Sequence, residues 1–145
     1  MGYNTGTVYN VANRAWIYGN GSIGGIVGKN EGDANTSFIS LASSQGEIYA
    51  RSSGTESIGG IVAIMTGGRI ESCTCTGKIT VYGVYGNGSI AMPCVGQVIG
   101  TFYDNKNTSY GTQMVLNTIV KEGKPAGGNI GGEIGKTVTQ LDLGV

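Results

Sequence analysis

The run Ile23-Gly24-Gly25-Ile26-Val27-Gly28 returns as Ile58-Gly59-Gly60-Ile61-Val62-Ala63 and, altered, as Val95-Gly96-Gln97-Val98-Ile99-Gly100. A weaker echo, Ile130-Gly131-Gly132-Glu133-Ile134-Gly135, stands near the end. The first glycines of these four anchors, at 24, 59, 96 and 131, stand 35, 37 and 35 residues apart. A spacing so nearly constant, within roughly 20–50 residues, is the mark of a repeat architecture whose units bury their apolar faces by stacking on one another. About four periods fit into the 145 residues, more than the roughly three that such a stack needs.

Between the anchors lie short β-branched runs separated by Asn, Ser, Thr and Gly, without long apolar helical faces, so the chain reads as all-β. Glycine supplies 28 of the 145 residues, far above the usual ~7%. With only two prolines and no Gly-X-Y period, collagen is excluded. Glycine inside a strand is justified by a bend or by close approach of another backbone. Repeated once per period, at Gly24 and Gly25, Gly59 and Gly60, and Gly96, it predicts coils pressed against a neighbouring layer.

Two longer segments align without a gap. Ile39 matches Ile70, Ala42 matches Cys73, Ser44 matches Cys75, Gly46 matches Gly77, Ile48 matches Ile79 and Ala50 matches Val81. The step of three from Ile70 to Cys73 breaks strict alternation and predicts a bend or bulge. Each period therefore yields three short strands: the anchor, the Ile-to-Cys segment and a Gly-x-Ile-x-Val segment. A β-solenoid of ~35-residue repeats, with three short strands per coil paired in parallel, lays them out most simply. A β-prism or a sandwich of meanders uses the same strands but explains the fixed period less well. Asn4 to Tyr9 reads as a counterpart of Cys75 to Thr80, so the chain is expected to begin inside a coil.

The unit Gly-Gly-Ile-Val, followed by Gly68-Arg69-Ile70-Glu71-Ser72-Cys73-Thr74-Cys75-Thr76-Gly77-Lys78-Ile79, resembles the GLUG motif, a glycine-rich repeat of bacterial surface and secreted proteins. The second unit matches well and the first in part, with Ala42 in place of the cysteine; the third departs at Gln97, and Pro93 argues against a regular central strand there. Phe102 to Gly111 and Gly135 to Leu141 are similar to the tail that follows such repeats. On that basis residues 1–101 form the repeat solenoid and 102–145 a tail or capping segment, to which Ile130–Gly135 also belongs. The resemblance implies a β-helical stalk or adhesin segment on the bacterial cell surface or secreted, and no catalytic residues.

Charge and residue types narrow the function further. Nine basic residues balance nine acidic ones without a basic cluster, so the electrostatic footprint of a nucleic-acid binder is missing. No run of 18 apolar residues is present, which excludes insertion by a membrane-spanning helix. The N-terminus has neither a charged n-region nor an apolar h-region; for an exported protein, the signal is expected elsewhere. There is no histidine, which removes the usual triads and His-liganded metal sites. Cys73, Cys75 and Cys94 read as small buried hydrophobes, and no cofactor or metal is expected. Asp104-Asn105-Lys106-Asn107 offers oxygen ligands but sets a lysine among them, against a calcium loop. The Asn-x-Ser/Thr triplets at Asn20, Asn35, Asn87 and Asn107 read as turns.

The remaining chemistry is aromatic. If Val8, Ile48 and Ile79 point inward, then Tyr9, Tyr49 and Thr80 form one outward column, with Tyr82 and Tyr85 nearby, a surface for a host glycan or an extracellular protein. The expectation is thus a non-catalytic adhesin stalk or ligand-binding surface. One alternative is a carbohydrate-active β-helix using two of Glu31, Asp33, Glu47, Glu56, Glu71 and Asp104. Another is a self-assembling fibre subunit, since an uncapped coil exposes strand edges that invite end-to-end self-association.

Overall fold

The chain winds as a parallel β-solenoid. The computed structural model describes residues 1–33, 35–51, 56–85, 94–103, 109–110, 113–114, 118–124 and 130–138, with only the backbone described at 82–85 and beyond 103. A first part-coil carries β1 (Tyr3–Asn4), β2 (Thr7–Tyr9), β3 (Ala12–Asn13) and β4 (Ile17–Asn20). The next coil carries β5 (Ile23–Gly24), β6 (Val27–Asn30), β7 (Phe38–Ser40), β8 (Ser43–Ser44) and β9 (Ile48–Arg51). It is followed by β10 (Ser57–Gly59), β11 (Val62–Met65), β12 (Arg69–Glu71), β13 (Thr74–Cys75) and β14 (Ile79–Tyr85). The last rungs are β15 (Cys94–Tyr103), β16 (Ser109–Tyr110), β17 (Gln113–Met114), β18 (Thr118–Lys124) and β19 (Ile130–Val138).

These strands stack into four sheets. Sheet A holds the anchors, β1, β5, β6, β10, β11, β15 and β19; sheet B holds β2, β7, β12 and β16; sheet C holds β3, β8, β13 and β17; sheet D holds β4, β9, β14 and β18. The three expected segments of a coil are all there, but two are broken, so a full coil has five short pieces. The Ile-to-Cys segment turns a corner at Leu41 and at Ser72, with φ of 52° and 50°, and Asn10 does the same in the first part-coil at 53°. This is the predicted bend, and it divides sheet B from sheet C. Left-handed backbone at leucine and serine costs roughly 1–2 kcal/mol. It is offset where the ladder continues through the corner, Leu41 N–H donating to Glu71 O and Asn10 N–H to Ser40 O.

The anchor breaks at Gly25–Ile26 and Gly60–Ile61, where the backbone dips into the coil. A methyl on Gly59 would collide with the carbonyl of Val62, the fold-back of the dip itself. One on Gly60 would collide with Cys75 Sγ and the carbonyl of Gln97 on the next rung. Both reasons for strand glycine, a bend and a close approach, thus operate on adjacent residues. The dip meets sheet C and pinches the coil into two lobes. One core cluster contains Val27, Ile39, Ile61, Met65, Ile70 and Ile99; the other contains Ile23, Ile48, Ile58, Ile79 and Val81. Full burial of each such side chain is worth about 1.5–3 kcal/mol.

The matched residues pair as expected: Ile39 with Ile70, Ser44 with Cys75, Ile48 with Ile79 and Ala50 with Val81. Three expectations are corrected. First, Val8 does not align with Ile48 and Ile79; it pairs with Ile39 in sheet B. Gly6 lies at the short corner after β1, whereas Gly46 and Gly77 lie at the corner before sheet D. Second, the third anchor is a regular strand over Cys94–Tyr103, in register with β10 and β11. Gln97 is tolerated inside because its Nε2 donates to Gly77 O at 2.7 Å; Pro93 lies outside the described residues. Third, Ile130–Gly135 pairs as a further anchor rung, Val95 with Ile130 and Ile99 with Ile134. Parallel pairing therefore continues past residue 101, through β16, β17 and β18 as well.

Coil length varies at two corners only over the first three turns. Ile17, Ile48 and Ile79 keep a constant spacing, as do Val8, Ile39 and Ile70. The extra residues fall between sheets A and B, at 31–37 against 66–68, and between D and A, at 52–56 against Gly21–Ser22. At the first of these corners Asn30 is fully buried. It accepts from Asn4 Nδ2 at 2.7 Å and Ser37 Oγ at 3.1 Å, and donates to Gly67 O at 2.9 Å.

Candidate functional site

Sheet D has one apolar side and one decorated side. Ile17, Ile48 and Ile79 point into the coil, so strand alternation turns Tyr18, Tyr49 and Thr80 outward in one row. The ladder also extends one residue upstream, with Ile17 N–H donating to Glu47 O and Ile48 N–H to Lys78 O, both at 2.9 Å. Trp16, Glu47 and Lys78 therefore make a second row. Asn20 and Arg51 begin a third, in which Tyr82 shares the register of Arg51.

Two aromatic members of this grid stand largely in water. Trp16 is 72% and Tyr18 70% exposed. Tyr49 is half-buried, its ring centroid 5.5 Å from that of Trp16 at 52° between planes. That diagonal contact across neighbouring strands suits large rings. Tyr49 is oriented further by its hydroxyl, which donates to Glu47 Oε2 at 2.5 Å. The row closes at Thr80, which is only 1% exposed. The outcome is a small platform of three rings, fixed to a wall whose first three strands begin at a constant interval in the sequence.

The structure brings Tyr49, Tyr82 and Tyr85 onto this sheet, the last two placed by backbone register alone, and removes Tyr9 from it. Tyr9 lies on sheet B opposite Ser40, exposed on a different wall. Tyr18 takes the place assigned to Tyr9, and Trp16 joins it. The signal for both was the dipeptide Ile17-Tyr18, repeated as Ile48-Tyr49.

The acids are not gathered. Glu31 and Asp33 sit at the A–B corner, Glu47 before sheet D, Glu56 before β10 and Glu71 on sheet B; Asp104 lies outside the described residues, as does the segment considered for calcium. Glu31 is held below the usual carboxylate range by hydrogen bonds from Lys29 and Tyr3, at 2.8 Å and 2.6 Å. Asp33 is lowered by the backbone N–H of Asn35 and by Thr36. Both are thus poor proton donors, unlike the raised carboxyl of a glycosidase acid. Among the described residues no three His, Cys, Asp or Glu side chains form a metal-binding group.

Cys73, Cys75 and Cys94 are buried, and none is in a disulfide. Burial pushes the Cys73 thiol up and that of Cys75 to about 11, so neither is a reactive thiolate at neutral pH. Cys75 Sγ donates to Gln97 O at 2.8 Å, inside the pinch. Beside β2, β3 and β4 the coil interior opens into a cavity of about 380 Å³ lined by Val8, Val11, Ile17 and Ile26 among others.

Comparison of the chain with protein-family models, with curated proteins and with solved structures finds no match.

Proposed function

We infer that the chain is a non-catalytic adhesive segment of a bacterial surface or secreted protein, in which the solenoid is the stalk and the outer side of sheet D binds a host glycan. The observation that carries this reading is the platform of Trp16, Tyr18 and Tyr49. Two rings more than two-thirds exposed are costly to leave in water, and flat aromatic faces suit the apolar faces of sugar rings. A rigid parallel stack keeps the rings in place before a ligand arrives, which lowers the entropic cost of binding. The GLUG-like repeat supports the same setting. The scattered acids lend no support to hydrolysis.

The test is binding to immobilised glycans and to extracellular proteins, comparing the wild type with Trp16→Ala, Tyr18→Ala and Tyr9→Ala. The first two lose most of the glycan signal, and Tyr9→Ala, on sheet B, retains it. Glycan binding unaffected by Trp16→Ala and Tyr18→Ala, or capture of proteins only, overturns the reading.

A further inference from the structure

The first part-coil is open along the solenoid axis. Sheets B, C and D end on one side in β2, β3 and β4 and on the other in β16, β17 and β18, and among the described residues nothing pairs beyond either side. The backbone of Gly6, Asn10, Val11, Asn13 and Ile17 bonds to the next coil. By alternation the N–H and C=O groups of Thr7, Tyr9, Ala12 and Tyr18 point the other way, an unpaired edge on three walls. The apolar interior is open on the same side: Ile17 is only partly buried, whereas Ile48 and Ile79, one and two rungs on, are sealed. Ile17 and Ile26 border the cavity of about 380 Å³. Of the seven large hydrophobic side chains exposed among the described residues, Met1, Tyr3, Tyr9, Val11, Trp16 and Tyr18 belong to this part-coil, and only Leu41 lies elsewhere.

Whatever covers this end must match it on every wall. An extended peptide pairs with one edge and leaves the other walls and the cavity in water. The chain itself carries the matching cross-section, because each of its coils already lies on the next in register. The rung counts agree too. Among the described residues sheets B, C and D have four rungs each, and so has the Ile23–Gly24 half of sheet A, through β5, β10, β15 and β19. The other half of sheet A has a fifth, because β1 lies beyond β6 in the column that runs through β11 and β15 to the far end of β19.

We propose that copies of this chain stack head to tail: β16, β17 and β18 of one copy pair with β2, β3 and β4 of the next, and β19 pairs with β5 and β6 in place of β1. β1 yields because it pairs through two residues, Tyr3 and Asn4, whereas β19 pairs with β15 through six. Lys136 then takes the register position of Tyr3 beside Lys29, whose ammonium Glu31 already holds at 2.8 Å. The two joined surfaces differ, so the contact does not close into a dimer and copies keep adding. Each copy contributes about 19 Å, four rungs at ~4.8 Å. The platform of Trp16, Tyr18 and Tyr49 recurs at that interval, which favours multivalent binding.

Sedimentation of the whole chain over a wide range of concentrations is the test, with electron microscopy at the highest. The mass rises past that of a dimer without a plateau, and filaments appear. Val11→Lys sets a charge in the open interior, and Thr7→Pro removes an outward N–H on an edge strand, where proline is tolerated. Each raises the concentration needed for association at least about tenfold, with unfolding midpoints showing that the fold is kept. Asn4→Ala removes the side-chain bonds to Gly6 O and Asn30 Oδ1, loosens β1 and lowers that concentration. Leu41→Ser, which repeats the residue found at the next corner, Ser72, leaves association as it was. A monomer at every concentration overturns stacking, and a plateau at the dimer overturns its head-to-tail sense. Association that survives both Val11→Lys and Thr7→Pro, or that Leu41→Ser abolishes, lies elsewhere on the molecule and overturns it as well. Unchanged association in Asn4→Ala overturns the displacement of β1. Glycan binding is not read in any of these arms, so the adhesive reading stands or falls separately.

Discussion

The pinch inside the coil and the platform outside sheet D are built on the same rungs but obey opposite rules. At the pinch, the first two rungs repeat the kind of residue: Gly25 and Gly60 face Ser44 and Cys75. On the platform each rung changes: Trp16, Glu47 and Lys78 in one row, Tyr18, Tyr49 and Thr80 in the next. The inner rule is imposed by stacking, since one rung can lie on the next only if both have the same cross-section. The outer rule is free of stacking and open to selection by a ligand. Stability should therefore reside in the first region and binding in the second.

The largest effect expected is at the pinch. Gly60→Ala drives a methyl into Cys75 Sγ and the Gln97 carbonyl, and the carbonyl cannot retreat without moving a rung. A loss of about 3 kcal/mol or more is expected in denaturant unfolding. Gly6→Ala, where nothing lies within 4 Å, serves as the contrast and changes stability little. Equal tolerance of the two substitutions would show that the coil is not pinched at all.

Next comes a pH effect at the same place. Burial raises the Cys75 thiol from 9.0 to about 11, so above pH 9 the unfolded chain releases a proton that the folded chain keeps. Stability is full below pH 9 and is lost as the pH rises towards 11, by roughly 2–3 kcal/mol. Cys75→Ser, which retains a donor for Gln97 O, removes that part of the slope. Unfolding midpoints across this range, compared between wild type and variant, provide the check.

The interior was legible in the sequence because its rule is repetition. Ile39 and Ile70, Ser44 and Cys75, and Ile48 and Ile79 could be laid side by side, and the irregular step from Ile70 to Cys73 announced the corner that Ser72 turns at φ 50°. The break in the anchor was less visible, because the dip at Gly60–Ile61 leaves no mark except the glycines that permit it. The face was misread at Tyr9, since Thr-Gly-Thr-Val and Thr-Gly-Lys-Ile look alike although one lies at the corner into sheet B and the other at the corner into sheet D. The pairings of Tyr3–Asn4 with Lys29–Asn30 and of Val8 with Ile39 separate them. Why Gln97 can depart from the motif was not visible, since its side chain donates to Gly77 O and Cys75 Sγ, 20 and 22 residues away.

The smallest effect on stability, and the largest on binding, belongs to Trp16. Trp16→Ala removes a ring that is mostly in water and packs on Tyr49 alone among the rings described. Its unfolding free energy should shift by no more than about 0.5–1 kcal/mol, while glycan binding is largely lost. A variant that loses both together would place the ring in the fold and not in the site.

The most direct measurement is the emission of Trp16 as a bound glycan saturates the chain, with iodide quenching before and after. A ligand stacked on the platform shifts the emission to shorter wavelength and shields the indole from iodide. A glycan that binds yet leaves both unchanged lies elsewhere on the solenoid, and the platform of Trp16, Tyr18 and Tyr49 is then not the site.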